Sequence, residues 1–204
     1  MYLTLDPIAI ITTLGYIGLF AIIFAESGLF FGFFFPGDSL LFTAGLLAAT
    51  HVLNLTALLV LVPLAAILGD SAGYAFGKWI GPKIFTKEDS FFFNKKHIER
   101  SEEFYKKYGA RALVLARFVP VVRTFVPIVA GVGRMAYSTF IVFNSIGGVL
   151  WGLGITLIGY FLGNAFPATE HYLTPIIVLI VFVSILPIAR ELWLARSKTK
   201  VKES

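Results

Sequence analysis

Four ionisable side chains stand inside stretches of sequence that are otherwise apolar: Glu26, Asp38, Arg117 and Arg123. A charge left facing hydrocarbon costs about 2.5–3.5 kcal/mol even on lenient insertion scales, so such residues are kept for internal pairing or for a polar pathway. Arg117 and Arg123 flank Pro120, where an interrupted helix exposes unpaired backbone groups. Two planar, permanently charged guanidinium forks beside helix ends make a phosphate-binding pair. Glu26 and Asp38 supply what arginine lacks, the ability to titrate. Burial disfavours an ionised carboxylate and a nearby guanidinium favours it, so proton uptake can be linked to whether an anion occupies the arginines. The chemistry expected is proton-linked handling of an anionic substrate. Asp70 and Arg134 lie near the ends of predicted helices, where structural pairing or a place at a membrane rim is expected.

The elements that must position these charges follow from composition. The chain is 57% hydrophobic and 14% charged, whereas a soluble domain is about a quarter charged; its surface therefore suits a bilayer. A spanning helix needs about 20 mostly apolar residues, and the stretches 53–79, 137–163 and 172–193 qualify. Residues 8–49 and 112–133 are apolar but interrupted, the first by Phe35-Pro36-Gly37 and the second by Pro120 and Pro127. Proline removes a backbone donor and clashes with the preceding turn. Broken backbone survives at membrane depth only under cover of protein or a wet cavity. Both interrupted stretches therefore read as re-entrant hairpins, with Pro36, Pro120 and Pro127 as their breaks.

Charge sets the orientation. Between Lys78 and Arg111 there are nine basic residues, and the tail beyond Ala189 carries five more; both belong in the cytoplasm by the positive-inside rule. Two crossings, 137–163 and 172–193, separate them, so 112–133 must enter and return on one side. After Phe91-Phe92-Phe93, Asn94 reads as a helix cap, and Ile98, Tyr105 and Tyr108 give the connector the spacing of an amphipathic helix, suited either to an anionic leaflet or to a solvated linker. The N-terminus has no basic region and does not read as a secretory signal.

An internal repeat organises the rest. Gly73-Tyr74-Ala75-Phe76-Gly77 matches Gly159-Tyr160-Phe161-Leu162-Gly163, and Ala44-Gly45 matches Ala130-Gly131, both at an offset of 86. Phe35-Pro36 pairs with Val119-Pro120 at 84, and the stretch ending in Glu26 aligns with the one ending in Arg117 at 91. Each half thus holds a charged residue, a proline break, Ala-Gly and a long helix, and the two long helices run in opposite directions. Such inverted repeats place a substrate site between the halves, at broken helices. The expected fold is an all-α membrane domain over 1–204: a first repeat over about 10–81, a cytoplasmic connector over about 82–108 and a second repeat over about 109–165. A C-terminal spanning helix over about 172–194 and a basic tail, 195–204, complete it. Glu26 and Arg117 are expected to face each other from opposite halves.

Other residues carry less. His51, His97 and His171 are scattered, and with no cysteine in the chain no metal site or cofactor is expected. Trp79 and Trp193 fit an interfacial belt, while Trp151 falls mid-span, where packing is its expected role. Gly69/Gly73/Gly77 and Gly148/Gly152 permit close helix packing within a monomer or a homo-oligomer. No H-E-x-x-H or paired Ser/His arrangement is present, so an enzyme is the least expected class, and nothing points to nucleic acid.

The chain resembles the DedA family, whose shared region is also called the VTT or SNARE-associated Golgi domain. The matching stretches are Glu26, Phe-Phe-Pro-Gly-Asp-Ser at 34–39, Thr-Ala-Gly at 43–45 and Gly-Asp-Ser-Ala-Gly-Tyr-Ala-Phe-Gly at 69–77. The most specific is Ala-Arg-Phe-Val-Pro-Val-Val-Arg-Thr-Phe-Val-Pro-Ile-Val-Ala-Gly at 116–131, followed by Met135, Phe140 and Trp151. The resemblance implies two facing re-entrant hairpins and a role in membrane homeostasis and proton-dependent resistance. Some bacterial members return undecaprenyl phosphate across the membrane, and eukaryotic relatives scramble phospholipids. The family's essential acidic and arginine positions fall on Glu26, Asp38, Arg117 and Arg123. The first expectation is a flippase for undecaprenyl phosphate or a related lipid phosphate in the cell membrane, with the phosphate on Arg117 and Arg123 and protons on Glu26 and Asp38. The rivals are a proton-coupled transporter of small ions or drugs and a non-transport membrane-homeostasis factor.

Overall fold

A chain this apolar has to satisfy its backbone polar groups within each segment, and helices do so. The computed structural model describes residues 7–29, 32, 37–84 and 107–165, and the regular elements among them are all helical. In order they are α1 (Pro7–Gly28), α2 (Gly37–Ala49), α3 (Leu55–Ile84), α4 (Ala112–Leu115), α5 (Pro120–Val132) and α6 (Tyr137–Ala165). Single 3-10 turns, Gly109–Arg111 and Ala116–Phe118, flank α4. Pro36, most of the connector 82–108, the helix expected over 172–194 and the tail 195–204 lie outside the described residues.

Length sorts the helices. Leu55–Trp79 within α3 and Tyr137–Ala165 in α6 are long and apolar enough to cross a membrane, at two of the three expected spans. Asn54 starts α3: its side-chain oxygen accepts the Ala57 N–H at 3.0 Å, and its own N–H donates to the Tyr16 hydroxyl at 2.7 Å. By contrast α2 and α5 have 13 residues each. At a rise of about 1.5 Å per residue that is ~20 Å, short of the ~30 Å hydrocarbon core.

The chain breaks before α5 at Val119, which is extended (φ −120°, ψ 106°), with Pro120 as the first helical residue. Proline belongs there, since a first-turn N–H has no intrahelical partner. Pro127 corrects an expectation. It lies inside α5, and the helix continues through it despite losing the N–H that would have met the Arg123 carbonyl one turn back. It is not a hairpin break. Both short helices end in the same turn. The Val52 N–H donates to the Leu47 carbonyl and the Met135 N–H to the Ala130 carbonyl, each at 3.0 Å, with His51 (φ 60°) and Arg134 (φ 53°) in the left-handed region.

Close approaches fix the directions. Helix α2 runs parallel to α6: Asp38 meets Trp151, Phe42 meets Gly159, Gly45 meets Thr156 and Tyr160, and Ala49 meets Gly163. Helix α5 runs parallel to α3 in the same way, Ile128 meeting Gly73 and Gly77, and Gly131 meeting Tyr74 and Lys78. At Gly45, Gly159, Gly77 and Gly131 an added methyl group would overlap a facing backbone carbonyl, so only glycine fits. Helices α3 and α6 cross antiparallel, Val62 meeting Gly152 and Ile67 meeting Asn144 and Gly148. Helix α1 follows α3 from Tyr16 at Asn54 to Gly28 at Gly69 and Gly73. The start of this α1 segment and the end of α2 therefore share one end of the bundle, where Tyr16, His51, Asn54 and Tyr160 line a cavity of about 360 Å³. The end of α1 and the start of α2 meet at its middle.

Polarity is arranged inside out relative to a water-soluble domain. Val60, Leu64 and Leu68 on α3 and Val142, Ile146, Ile158 and Phe161 on α6 are exposed, while Glu26, Asp70, Arg117, Thr124, Asn144 and Thr156 are buried. Two apolar clusters hold the interior, one around Ile23, Leu41, Leu58, Val62 and Trp151, the other around Tyr74, Leu113, Val122, Val126 and Phe140. Arg123, between Val122 and Val126, reaches from the second cluster to Trp151 in the first.

Candidate functional site

The first charge nest gathers around Arg123. Helix α1 carries Glu26 two residues before its end, the first turn of α2 carries Asp38 and the first turn of α5 carries Arg123. Arg123 donates from Nη2 to Glu26 Oε1, and from Nη1 to Asp38 Oδ1 at 2.8 Å. One guanidinium fork is thus shared by two carboxylates from the other hairpin. Glycines make the room. A methyl group at Gly37 would overlap the Glu26 carboxylate, and one at Gly32 would overlap the Glu26 carbonyl. The N-terminus of α2 consequently sits against Glu26, and its dipole favours negative charge there. Glu26 Oε2 is buried without a hydrogen bond among the described residues.

The second nest surrounds Arg117. The 3-10 turn Ala116–Phe118 sets Arg117 immediately before the break at Val119. Its Nη2 donates to Asp70 Oδ2 in α3 and, at 2.7 Å, to Asn144 Oδ1 in α6. Asn144 in turn donates to the Ile67 carbonyl at 3.0 Å. Gly147 and Gly148 form the socket: a methyl group at Gly147 would lie 3.0 Å from Arg117 Cδ and Nε.

Trp151 joins the nests. Its Nε1–H donates to Asp38 Oδ1 at 2.9 Å, the same oxygen that Arg123 holds. The guanidinium carbons of Arg123 and Arg117 lie 5.2 and 5.9 Å from its ring centre, within reach of cation–π attraction. Two guanidinium groups against three carboxylates leave the joined site one negative charge when all are ionised. It can therefore take up a proton, or exchange a carboxylate for an anionic oxygen. Among the described residues no cluster of His, Cys, Asp or Glu could hold a metal.

Glu26, Asp38, Arg117 and Arg123, read from the sequence, converge on this site, with two corrections. The partner of Glu26 is Arg123, not Arg117, which pairs instead with Asp70. Asp70 forms the structural pair that is one of its two expected roles, but it does so away from any helix end or rim. Helix α3 runs on to Ile84, which places Asp70 near its midpoint and buries it. Arg134 is exposed, two residues beyond the end of α5. Sequence reasoning passes over Asn144 and gives Trp151 only packing. The signal available is a polar amide and an indole seven residues apart on one face of an apolar span.

The VTT domain is matched over residues 35–161, which takes in every member of the two nests except Glu26. An uncharacterized membrane protein of Mycobacterium tuberculosis H37Rv is 49% identical over 172 residues, 83% of this chain and 75% of its own. Protein DedA of Escherichia coli K12 is 46% identical over 171 residues, 83% of this chain and 78% of its own. The inner membrane protein YqjA of the same strain is 35% identical over 149 residues, 73% of this chain and 68% of its own. No solved structure matches. On these likenesses the chain belongs to the DedA family of membrane proteins, which carry the VTT domain.

Proposed function

We propose that this protein moves an anionic lipid phosphate, undecaprenyl phosphate or a close relative, between membrane leaflets in a proton-linked cycle. The observation that carries the proposal is the pairing of two arginines with three carboxylates at the meeting point of both hairpins. A phosphate entering a site that already holds a net negative charge at low dielectric must be accompanied by loss of carboxylate charge. Proton uptake on Asp38 or Glu26 supplies that loss and frees Arg123 for the phosphate. Arg123 is the first phosphate ligand in this scheme, because its partner Asp38 is half exposed. Arg117, committed to Asp70 and Asn144, joins only after its nest rearranges. The polyprenyl tail stays in lipid, and no covalent step is needed.

In the same proposal the helical hairpins are re-entrant and form an inverted repeat, with the basic connector and the C-terminus cytoplasmic. Support comes from the shortness of α2 and α5, their matching end turns, and the parallel packing of each on the long helix of the other half. The test is reconstitution in liposomes with a leaflet-resolved assay for undecaprenyl phosphate. Transport that falls in Arg117→Ala and Arg123→Ala is the expected result; undiminished transport in both ends the assigned roles. A second reading, proton-coupled exchange of a small cation or cationic drug, draws on the same net negative charge. Dye efflux that follows the proton gradient without lipid movement selects it.

A further inference from the structure

The geometry points to Trp151 as a positioning residue that couples the proton-accepting carboxylate of one hairpin to the phosphate-gripping guanidinium groups of the other. The inference rests on the lipid-phosphate reading for its substrate, though not for its first test. Indole has a single hydrogen-bond donor, and Trp151 spends it on Asp38 Oδ1 at 2.9 Å. That oxygen also accepts Arg123 Nη1 at 2.8 Å, so indole and guanidinium meet on one atom. The ring face lies 5.2 Å from the Arg123 guanidinium carbon and 5.9 Å from that of Arg117. Trp151 itself is buried and packed into the apolar cluster of α1, α2 and α3. One rigid side chain from α6 thus touches an acid from the first hairpin and both bases from the second.

The groups facing Asp38 are Arg123 from α5 and Trp151 from α6, with Glu26 from α1 held on the other side of the same guanidinium. Neutralising Asp38, or drawing it away from Arg123, weakens the acceptor on which the indole is anchored. The ring then shifts against both guanidinium groups, and a proton arriving at the first hairpin is registered at Arg117 in the second. Of these contacts of Asp38, the indole is the one that extends to the Arg117 nest.

The first test needs no lipid. Trp79→Phe and Trp193→Phe leave Trp151 as the single tryptophan of a chain that has three. In nanodiscs its emission should change with pH, and adding Asp38→Asn, which keeps an acceptor oxygen but does not titrate, should flatten that response. A response absent in the parent, or untouched by Asp38→Asn, overturns the inference. The second test measures undecaprenyl phosphate binding against pH for Trp151→Phe and Trp151→Leu. Phenylalanine keeps a cation-attracting face and loses the N–H, so affinity should stay within about threefold while the pH midpoint moves; leucine loses both, and affinity should fall about tenfold. Equal affinities and unchanged pH profiles in both variants sink the coupling role and leave the lipid-phosphate reading standing. A wild type that binds no lipid phosphate while the fluorescence result holds does the reverse.

Discussion

Arg117 and Arg123 are the same side chain, six residues apart, in two different electrostatic settings. Around Arg117 one base faces one acid and a neutral amide, both held by Nη2 while Nε is buried without a hydrogen bond among the described residues, and the side chains of Arg117 and Asp70 are 5% and 6% exposed. Around Arg123 one base faces two acids, and although Glu26 is sealed at 1%, Asp38 is 51% exposed. The Arg117 nest is balanced and closed, which suits holding α3, α6 and the second hairpin together. The Arg123 nest is over-supplied with negative charge and open, which suits exchange of protons and anions. Burial and charge balance, rather than residue type, separate the two roles.

The largest effect should come from unbalancing the closed nest. Asp70→Ala strands a buried guanidinium and should cost about 3–5 kcal/mol of stability, read as a fall in the thermal unfolding midpoint in detergent. Replacing both partners, Asp70→Leu with Arg117→Met, should recover most of that loss, because a buried ion pair exchanged for apolar groups of similar volume is close to neutral. A double variant as unstable as the single would show that the nest is not a simple balanced pair.

Next comes the open nest. Arg123→Lys keeps the charge but loses the fork that grips Glu26 and Asp38 together. A lost charge-assisted hydrogen bond is worth about 1.5–3 kcal/mol, so leaflet-resolved lipid transport should fall roughly ten- to a hundredfold. Asn144→Asp would give the closed nest the two-acids-to-one-base composition of the open one. While protonated, the introduced carboxyl group can still donate to the Ile67 carbonyl; once ionised it cannot, and it also repels Asp70. The variant should therefore match the parent at low pH and lose about 1–2 kcal/mol as pH rises, measured by unfolding across pH. The smallest stability change belongs to Asp38→Asn, within about 1 kcal/mol because the group is half exposed, although transport should lose its dependence on the proton gradient.

Much of this contrast is legible in the sequence. A charge in apolar sequence announces itself through its desolvation cost, which is why Glu26, Asp38, Arg117 and Arg123 stand out and do converge. Asp70 is misplaced because the charged connector makes the helix seem to end at 79; five further residues move it to mid-helix. Asn144 and Trp151 carry no formal charge, so composition gives no reason to pair them with ions. The repeat is visible, yet its register slips. The glycine matches sit at an offset of 86, the proline match at 84 and the Glu26–Arg117 match at 91, whereas α2 and α5 both start and stop 83 residues apart and the long helices begin 82 apart. Small residues recur one turn apart along these helices, so a glycine match cannot tell neighbouring turns from each other. Which carboxylate meets which arginine depends on that register, and the pairing of Glu26 with Arg117 fails for this reason.

The central claim is that phosphate enters the Arg123 nest in exchange for carboxylate charge, and proton counting tests it most directly. Purified protein in weakly buffered detergent is mixed with saturating undecaprenyl phosphate while a pH indicator records proton uptake. Uptake of about one proton per lipid bound in the wild type, abolished in Asp38→Asn, is the predicted result. Saturable lipid binding with no proton uptake in the wild type contradicts the account.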